Sequence, residues 1–589
     1  MKPRALLAGG PMLTRRRFVQ GVAAIGLASL APWPLRRALA APGAEGVLRG
    51  TQFALAIEPV ELAIGGRRAM ATGVNGSVPA PTLIWQEGDS VTLAVTNRLS
   101  EPTSIHWHGV RTPSPMDGVP GLSFPGIAPG ETFTYRFPVE QSGTYWYHSH
   151  TMFQEQTGLY GALVIKPRQG YAEPFDRDYV VLLSDWSDDP PETIISNLKQ
   201  QSDYYNFRQR TLGTFLGDVN KDGFAKTVSD RLEWGEMRMS PTDILDVSGA
   251  AYTYLINGWG PDANWTALFK PGERIRLRFI NGSSMSIFDV RIDGLPMTVV
   301  QADGNDVEPV AVDTFRISVA ETYDVIVEPR DNRTYTLFVQ AEDRTGYARG
   351  TLAPQAGMAA PIPPMDARPM RTMTDMGMGG MAGMSMDHGA MNHGGMDMGG
   401  AGAGGMNMSG MDMSTMKMTS EQKALDGQVG VDNVAMMPTQ RLNRAGEGLP
   451  LKLRVLSYAD LRALKRGVDP RPPSRTITLH LTGNMQRFMW GFDGKKFSES
   501  GPIELARNER VRFVLINDTM MEHPIHLHGL WSELENGQGE FRPYKHTINV
   551  KPGETLSYLV TADHPGRWAY HCHLLYHMEM GMFREVHVA

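Results

Sequence analysis

From about Val47 to the C-terminus, hydrophobic and polar residues alternate in short runs that Gly, Pro and Asn interrupt. Val91-Thr92-Leu93-Ala94-Val95, Arg274-Ile275-Arg276-Leu277-Arg278-Phe279 and Val511-Arg512-Phe513-Val514-Leu515 are examples. Period-two alternation turns one face of a strand to a core and the other to solvent, and such strands at regular spacing build β-sandwiches. Runs with a helical period are nearly absent, so an all-β protein is expected. A chain of 589 residues has room for three or four domains at about 150 residues each.

Internal repeats set the number at three. Asp89, Glu273 and Glu509 each follow a turn, open an alternating strand and stand eight residues before an Asn: Asn97, Asn281 and Asn517. Asn97 and Ile105-His106-Trp107-His108-Gly109 recur 420 residues on, as Asn517 and Ile525-His526-Leu527-His528-Gly529. Pro129-Gly130-Glu131-Thr132 recurs at 423 as Pro552-Gly553-Glu554-Thr555, and the same offset carries His148-Ser149-His150 onto His571-Cys572-His573. Three homologous sandwiches are therefore expected at 47–168, 172–352 and 440–589. The middle one contains no histidine and reads as a metal-free spacer that holds the outer two face to face.

Composition adds a leader and an insert. Residues 1–40 read as a twin-arginine signal peptide: Thr14-Arg15-Arg16-Arg17-Phe18-Val19, an apolar run from Gly21 to Leu30, then Ala38-Leu39-Ala40 as a small-x-small cleavage signal. The run is shorter than the roughly 20 residues that span a bilayer, so export of a soluble chain to the periplasm is expected, with no membrane anchor after cleavage. A net charge of −6 suggests neither nucleic acid nor a membrane surface as partner, and a monomer is expected. One cysteine excludes an intramolecular disulfide framework. Within an insert at 353–439, the stretch from Met358 to Met418 is rich in Met and Gly and holds about half of the 36 methionines. It has too few branched or aromatic residues to offset ordering entropy and reads as a disordered loop. Its thioethers, with His388 and His393, suit Cu(I), so it is either a copper-gathering tether or a passive linker.

The chemistry concentrates at His571-Cys572-His573-Leu574-Leu575-Tyr576-His577-Met578-Glu579-Met580-Gly581-Met582. Two imidazoles, a thiolate and a weak axial thioether are the ligand set of a blue-copper electron-transfer site. On a strand, Cys572 faces one way while His571 and His573 face the other, so one short segment can touch two metal centres. Of 16 histidines, ten fall in four dense motifs: His106/His108, His148/His150, His523/His526/His528 and His571/His573/His577. Alternation puts both rings of each His-x-His pair on one face. Structural zinc sites want four ligands, usually with several Cys. With His523, Cys572, His577 and Met582 reserved for the blue site, eight histidines remain, four from each outer unit, which suits three coppers at the interface of units one and three. The first unit has Thr103, Ser149, Gln154 and Leu159 where the third has His523, Cys572, His577 and Met582.

His-Trp-His-Gly, His-Ser-His, His-Pro-x-His-x-His-Gly and His-Cys-His-x₃-His-x₄-Met resemble the four signature motifs of the three-domain multicopper oxidases. The twin-arginine leader and the Met/His-rich insert before the third unit are similar to the bacterial copper-resistance protein A group. This resemblance implies three consecutive cupredoxin-like, Greek-key β-sandwich domains and four coppers per chain. His523, Cys572, His577 and Met582 would bind type 1 copper, and His106 and His526 type 2. His108, His148 and His573 would hold one type 3 copper, and His150, His528 and His571 the other. Electrons taken singly from a reductant at the type 1 site would pass through Cys572 to its flanking histidines, and O₂ would be reduced to water.

Oxygen reduction consumes protons. Asp117 stands where related oxidases keep a relay acid, although Pro115-Met116-Asp117-Gly118 also suits a plain turn. Some relatives carry a second acid directly after the last type 1 histidine; here Met578 stands there, with Glu579 next. Substrate Cu(I) contacts are sought beside His523, at Asp518, Met520 and Met521, of which the methionines also read as core. Others are sought in the insert at Met384, Met386, His388, Met391 and His393. The expected activity is oxidation of Cu(I), and of phenols besides, coupled to reduction of O₂ to water and serving copper resistance. A laccase-like or ferroxidase preference is the enzymatic alternative, and a periplasmic copper-sequestering protein the non-enzymatic one.

Overall fold

The computed structural model describes residues 46–206, 208–378 and 418–589. The leader and Met384, Met386, His388, Met391 and His393 lie outside the described residues. Six sheets are present among the described residues. In the first unit the sheet of Gln52–Ile64, Arg67–Val74, Ser90–Asn97 and Thr132–Pro138 faces one of Val47–Arg49, Ala80–Gln86, His106–His108, Gly143–His148 and Tyr160–Lys166. Leu55, Leu93 and Tyr135 from the first and Leu83, Trp107 and Leu163 from the second share one core, as alternation requires. Each later unit pairs a six-stranded with a five-stranded sheet, and the cores of these two units are continuous.

The repeated asparagine has one role in all three units. It is buried at the end of its strand, and its amide donates to two backbone carbonyls: Glu101 and Ile127 for Asn97, Ser286 and Ile317 for Asn281, Met521 and Val550 for Asn517. Its Oδ1 accepts from the amide two residues on, at Leu99, Ser283 and Thr519. No aliphatic residue satisfies those groups, which explains why the position keeps an Asn even in the unit without histidines.

Two sequence expectations need correction. Helices Pro191–Gln200, Leu212–Asp222 and Phe224–Glu236 interrupt the second sandwich. The latter two leave Leu212, Leu216, Phe224 and Leu232 exposed, yet Leu212, Phe215, Leu216 and Val219, like Phe224, Val228 and Leu232, stand at helical spacing, so the expectation of almost no helix was wrong on the sequence itself. The described flanks of the insert are packed rather than disordered. Arg371 and Met376 are buried, Asp366 binds Arg291 at 2.8 Å and Arg371 binds Glu447 at 2.9 Å. Charge pairing and single anchors hold these flanks in place of an alternating apolar pattern. No helix of the described residues is long and apolar enough to cross a membrane.

Candidate metal centre

Strand pairing brings the motifs together. His106–His108 runs antiparallel to Gly143–His148 with His106 opposite His148. His523–Leu527 runs antiparallel to Gly566–Cys572 with His526 opposite His571. The two outer units thus present the same pair of strands to each other, and the eight histidines meet between them. Ligand nitrogens of His106, His108 and His526 lie within 4.8 Å of one another, as do those of His108, His148 and His573 and those of His150, His528 and His571.

The rings are held from behind. His106 Nδ1 donates to the Asp117 carbonyl at 2.8 Å, His571 Nδ1 to the Cys572 carbonyl at 2.9 Å and His526 Nδ1 to the His546 carbonyl at 2.5 Å. His528 Nδ1 donates to Asp117 Oδ2 at 2.8 Å, and His148 Nδ1 lies 2.7 Å from Glu155 Oε2. These bonds turn Nε2 of each ring toward its neighbours, a tautomer choice that commonly prepares a metal ligand. His108 is reversed: its Nε2 is held and its Nδ1 is free. Nε2 of His106, His148, His526 and His573 and Nδ1 of His108 are buried without a partner. Nε2 of His571 has only Nε2 of His528 at 3.0 Å and of His150 at 3.4 Å. Burial first, then neighbouring imidazoles, lowers His108, His148, His150, His526, His528 and His573 well below the usual histidine range. Neutral imidazoles with inward lone pairs and nothing to bond are what cations require. The site fits copper.

Cys572 turns the other way, as strand alternation predicts. Its Sγ lies 3.5 Å from His523 Nδ1 and 3.8 Å from His577 Nδ1, with those two nitrogens 3.2 Å apart. Burial pushes the thiol far above its usual range, so a bound cation is needed to hold it as thiolate. The five-residue helix Leu575–Glu579 places His577, and the chain returns so that Cys572 N donates to the Met582 carbonyl at 3.1 Å. Met582 is fully buried. In the first unit Gln154 Oε1 accepts from Thr103 Oγ1 at 2.7 Å and from Ser149 Oγ at 3.0 Å, with Leu159 buried beside them. Hydrogen bonds fill the place that His523, Cys572, His577 and Met582 take in the third unit.

Asp117 is buried and touches two ring-bearing motifs at once, His106 and His528. Gly118 makes that approach possible: its φ is 88° and a Cβ there would stand 1.8 Å from the Ile105 carbonyl oxygen. Glu579, by contrast, is exposed. Asp518, Met520 and Met521 are buried. The Asp518 carboxylate is taken by His480 Nδ1 at 2.6 Å and Ala435 N at 2.8 Å, so these three are core residues rather than open cation contacts.

Sequence reasoning missed four groups. Glu155 reaches His148 and stands 4.0 Å from His573 Nδ1, with burial, then Asp185, raising its carboxyl well above the usual range. Asp246 Oδ2 meets His577 Nε2 at 2.9 Å. His546 and Asp303 bear on His108. Asp246 and Asp303 come from the histidine-free unit, and no linear motif links them to the ligands. A cavity of about 980 Å³ lies between the first two units against Tyr171, Tyr179 and Trp265 and is lined by none of the histidines; the donor set, not the void, locates the chemistry.

Comparisons with known proteins agree with this layout. Three family models, each described as multicopper oxidase, match residues 57–170, 177–357 and 470–589. Copper resistance protein A of Pseudomonas syringae pv. tomato is 55% identical, covering 98% of this chain and 99% of that protein. The Escherichia coli protein of that name is 54% identical over the same shares. Among solved structures, Fet3p, a multicopper oxidase that functions in iron import, superposes with a TM-score of 0.63 at 18% identity, covering 92% of this chain and 90% of that one. The laccase from Botrytis aclada gives 0.61 at 21%, covering 92% and 88%; at these identities the likeness speaks for the fold.

Proposed function

The chain belongs to the multicopper oxidase family, and from that premise we infer that it is an exported oxidase that couples one-electron oxidation of Cu(I) to four-electron reduction of O₂, in the service of copper resistance. The observation that carries this reading is the convergence of eight imidazoles, seven buried and His150 half-buried, five of them with an orphaned inward nitrogen, on the far side of a strand whose Cys572 faces a separate His₂Cys pocket. Copper bound at these residues would supply the one-electron couple and the O₂ chemistry.

The chain's own residues divide the work. His523, Cys572, His577 and Met582 would hold type 1 copper, and His106 and His526 type 2. His108, His148 and His573, and His150, His528 and His571, would hold the type 3 pair. Cys572 is joined through its own backbone to His571 and His573, which gives electrons a continuous covalent path. Asp117 holds His106 and His528 and stands close enough to move protons. Glu155, behind His148, offers a second carboxyl where Glu579 is too far out.

His523 and His577 are both fully buried, and their outer nitrogens are capped by Thr519 Oγ1 at 2.7 Å and Asp246 Oδ2. A phenol finds no ring edge to touch there. Asp243 and Asp246 each keep a buried carboxylate oxygen without a partner, which suits a small cation delivering its electron through Asp246. This favours Cu(I) over a phenol, with the Met-rich insert gathering the ion.

The test is steady-state O₂ consumption with Cu(I), Fe(II) and a phenol as donors, on the wild type and on Cys572→Ser. The variant is expected to lose turnover by orders of magnitude with every donor. Wild-type rates from Cys572→Ser would sink the reading, and a faster phenol than Cu(I) reaction would sink the substrate assignment.

A further inference from the structure

His108 is the ring turned the other way, and something must hold it so. Its Nδ1 is buried without a partner, while its Nε2 lies 3.1 Å from His546 Nδ1 and 3.2 Å from Thr547 Oγ1. The His108 and His546 rings meet edge to face, with centroids 4.7 Å apart at 81°. Room for His546 exists because Gly109 follows His108: a Cβ there would lie 2.4 Å from His546 Cδ2. The backbone carbonyl of His546 meanwhile accepts from His526 Nδ1.

His546 is itself clamped from the histidine-free unit. Asp303 occupies the turn between Met297–Ala302 and Asn305–Val312 at φ 47°. Its Oδ1 accepts from Thr322 N at 3.0 Å, which fixes the carboxylate. Its Oδ2 accepts from the backbone amides of His546 and Thr547, both at 3.2 Å, and pairs with Lys545 Nζ at 3.0 Å. Lys545 is buried and pairs also with Glu321 at 2.9 Å. A carboxylate of the second unit therefore grips three successive residues of the third, and the middle one holds a ligand of the first. His546 Nε2, buried and unpartnered, borders a small void shared with His106, His526 and His528 of about 10 Å³, the space of about one water.

We propose that His546 is a positioning residue of the trinuclear site: it accepts from His108 Nε2–H and so fixes the tautomer and tilt that aim Nδ1 at the metal. Asp303 of the copper-free domain sets His546 in place. The proposal rests on the copper-cluster reading above. A lost partner behind a ligating imidazole lowers metal affinity by about 10–100-fold.

The test compares His546→Phe, which keeps a ring and removes the acceptor, with His546→Gln, which restores an acceptor. Copper per chain is titrated by dialysis and the type 2 signal is followed by electron paramagnetic resonance, with thermal unfolding of the metal-free proteins as a folding control. His546→Phe is expected to keep the blue absorption of the Cys572 site, to lose cluster copper with about 10–100-fold weaker affinity and to change the type 2 hyperfine splitting. His546→Gln is expected to restore most of both. Should the Phe ring disturb folding, His546→Ala removes the acceptor without adding volume. Full copper loading and an unchanged signal in His546→Phe or His546→Ala would overturn the proposal, as would a His546→Gln protein no better than His546→Phe. A wild type binding only the blue copper would instead overturn the cluster reading.

Discussion

At the scale of single residues, the first domain carries hydrogen bonds where the third carries the candidate type 1 ligands. Thr103, Ser149 and Gln154 occupy three ligand positions, and one amide oxygen, Gln154 Oε1, accepts from both hydroxyls. Gln154 Nε2 also reaches the Pro102 carbonyl at 2.9 Å. Removing the shared partner leaves two buried hydroxyl protons without an acceptor, each a loss of about 1–3 kcal/mol. Gln154→Leu is therefore expected to lower the unfolding temperature measured by calorimetry while copper per chain stays at the wild-type count. A fall in copper content with unchanged thermal stability would contradict this. The sequence revealed which ligands the first domain lacks, because the repeat aligns residue for residue. It did not reveal what the replacements do, since Gln154 and Thr103 are 51 residues apart and only the fold makes them neighbours.

At the scale of elements, the repeated strand end is the unit of construction. Asn281 sits in the domain with no ligands, yet makes the same three bonds as Asn97 and Asn517. At about 1 kcal/mol per bond, Asn281→Ala should cost about 3 kcal/mol, and Asn281→Asp should not rescue it because a carboxylate cannot donate to the Ser286 and Ile317 carbonyls. Differential scanning calorimetry would read this as a fall of several degrees in the transition of the second domain, with the blue absorption of the metallated protein unchanged. Equal melting curves for wild type and Asn281→Ala would remove the asparagine as a structural clamp. Strand alternation was legible throughout: Cys572 and the flanking histidines divide between two faces as the period of two demands. The helices from Pro191 to Glu236 were legible too, since Ile194 and Leu198, and Leu212, Phe215, Leu216 and Val219, stand at helical spacing; what the sequence did not carry is that Leu212, Leu216, Phe224 and Leu232 stay exposed.

At the scale of the whole molecule, the second domain holds the other two by charge as well as by packing. Arg316 is buried and pairs with Asp289 and Glu342 at 2.8 Å and with Glu522 of the third domain at 3.4 Å. Arg344 adds Asp289, and Arg371 of the insert adds Glu447. Glu522 directly precedes His523, so this network reaches the backbone of the proposed blue-copper site. Removing one member of a buried network strands its partners, at about 3–5 kcal/mol. Arg316→Met is accordingly expected to lower the unfolding temperature and to loosen the Cys572 copper, read as faster bleaching of the blue absorption by a chelator. Bleaching at the wild-type rate would confine the network to a structural role.

The sequence by itself determined the all-β class, the threefold repeat, the two faces of the Cys572 strand and the histidines that gather between the first and third domains. Each of these is carried by local periodicity or by an offset between repeats, which linear order preserves. Only the tertiary structure decided what stands behind those histidines. Asp246 on His577 and the Asp303–His546 clamp on His108 join residues from different domains, and Glu155 reaches His148 within the first, with no spacing rule behind any of them. It also turned the supposed spacer into a contributor, and it buried Asp518 together with Met520 and Met521, whose core reading it favours. The physical reason is burial: a buried imidazole that turns one nitrogen to a metal is oriented by what bonds the other, and that partner comes from whichever part of the chain the fold presses against it.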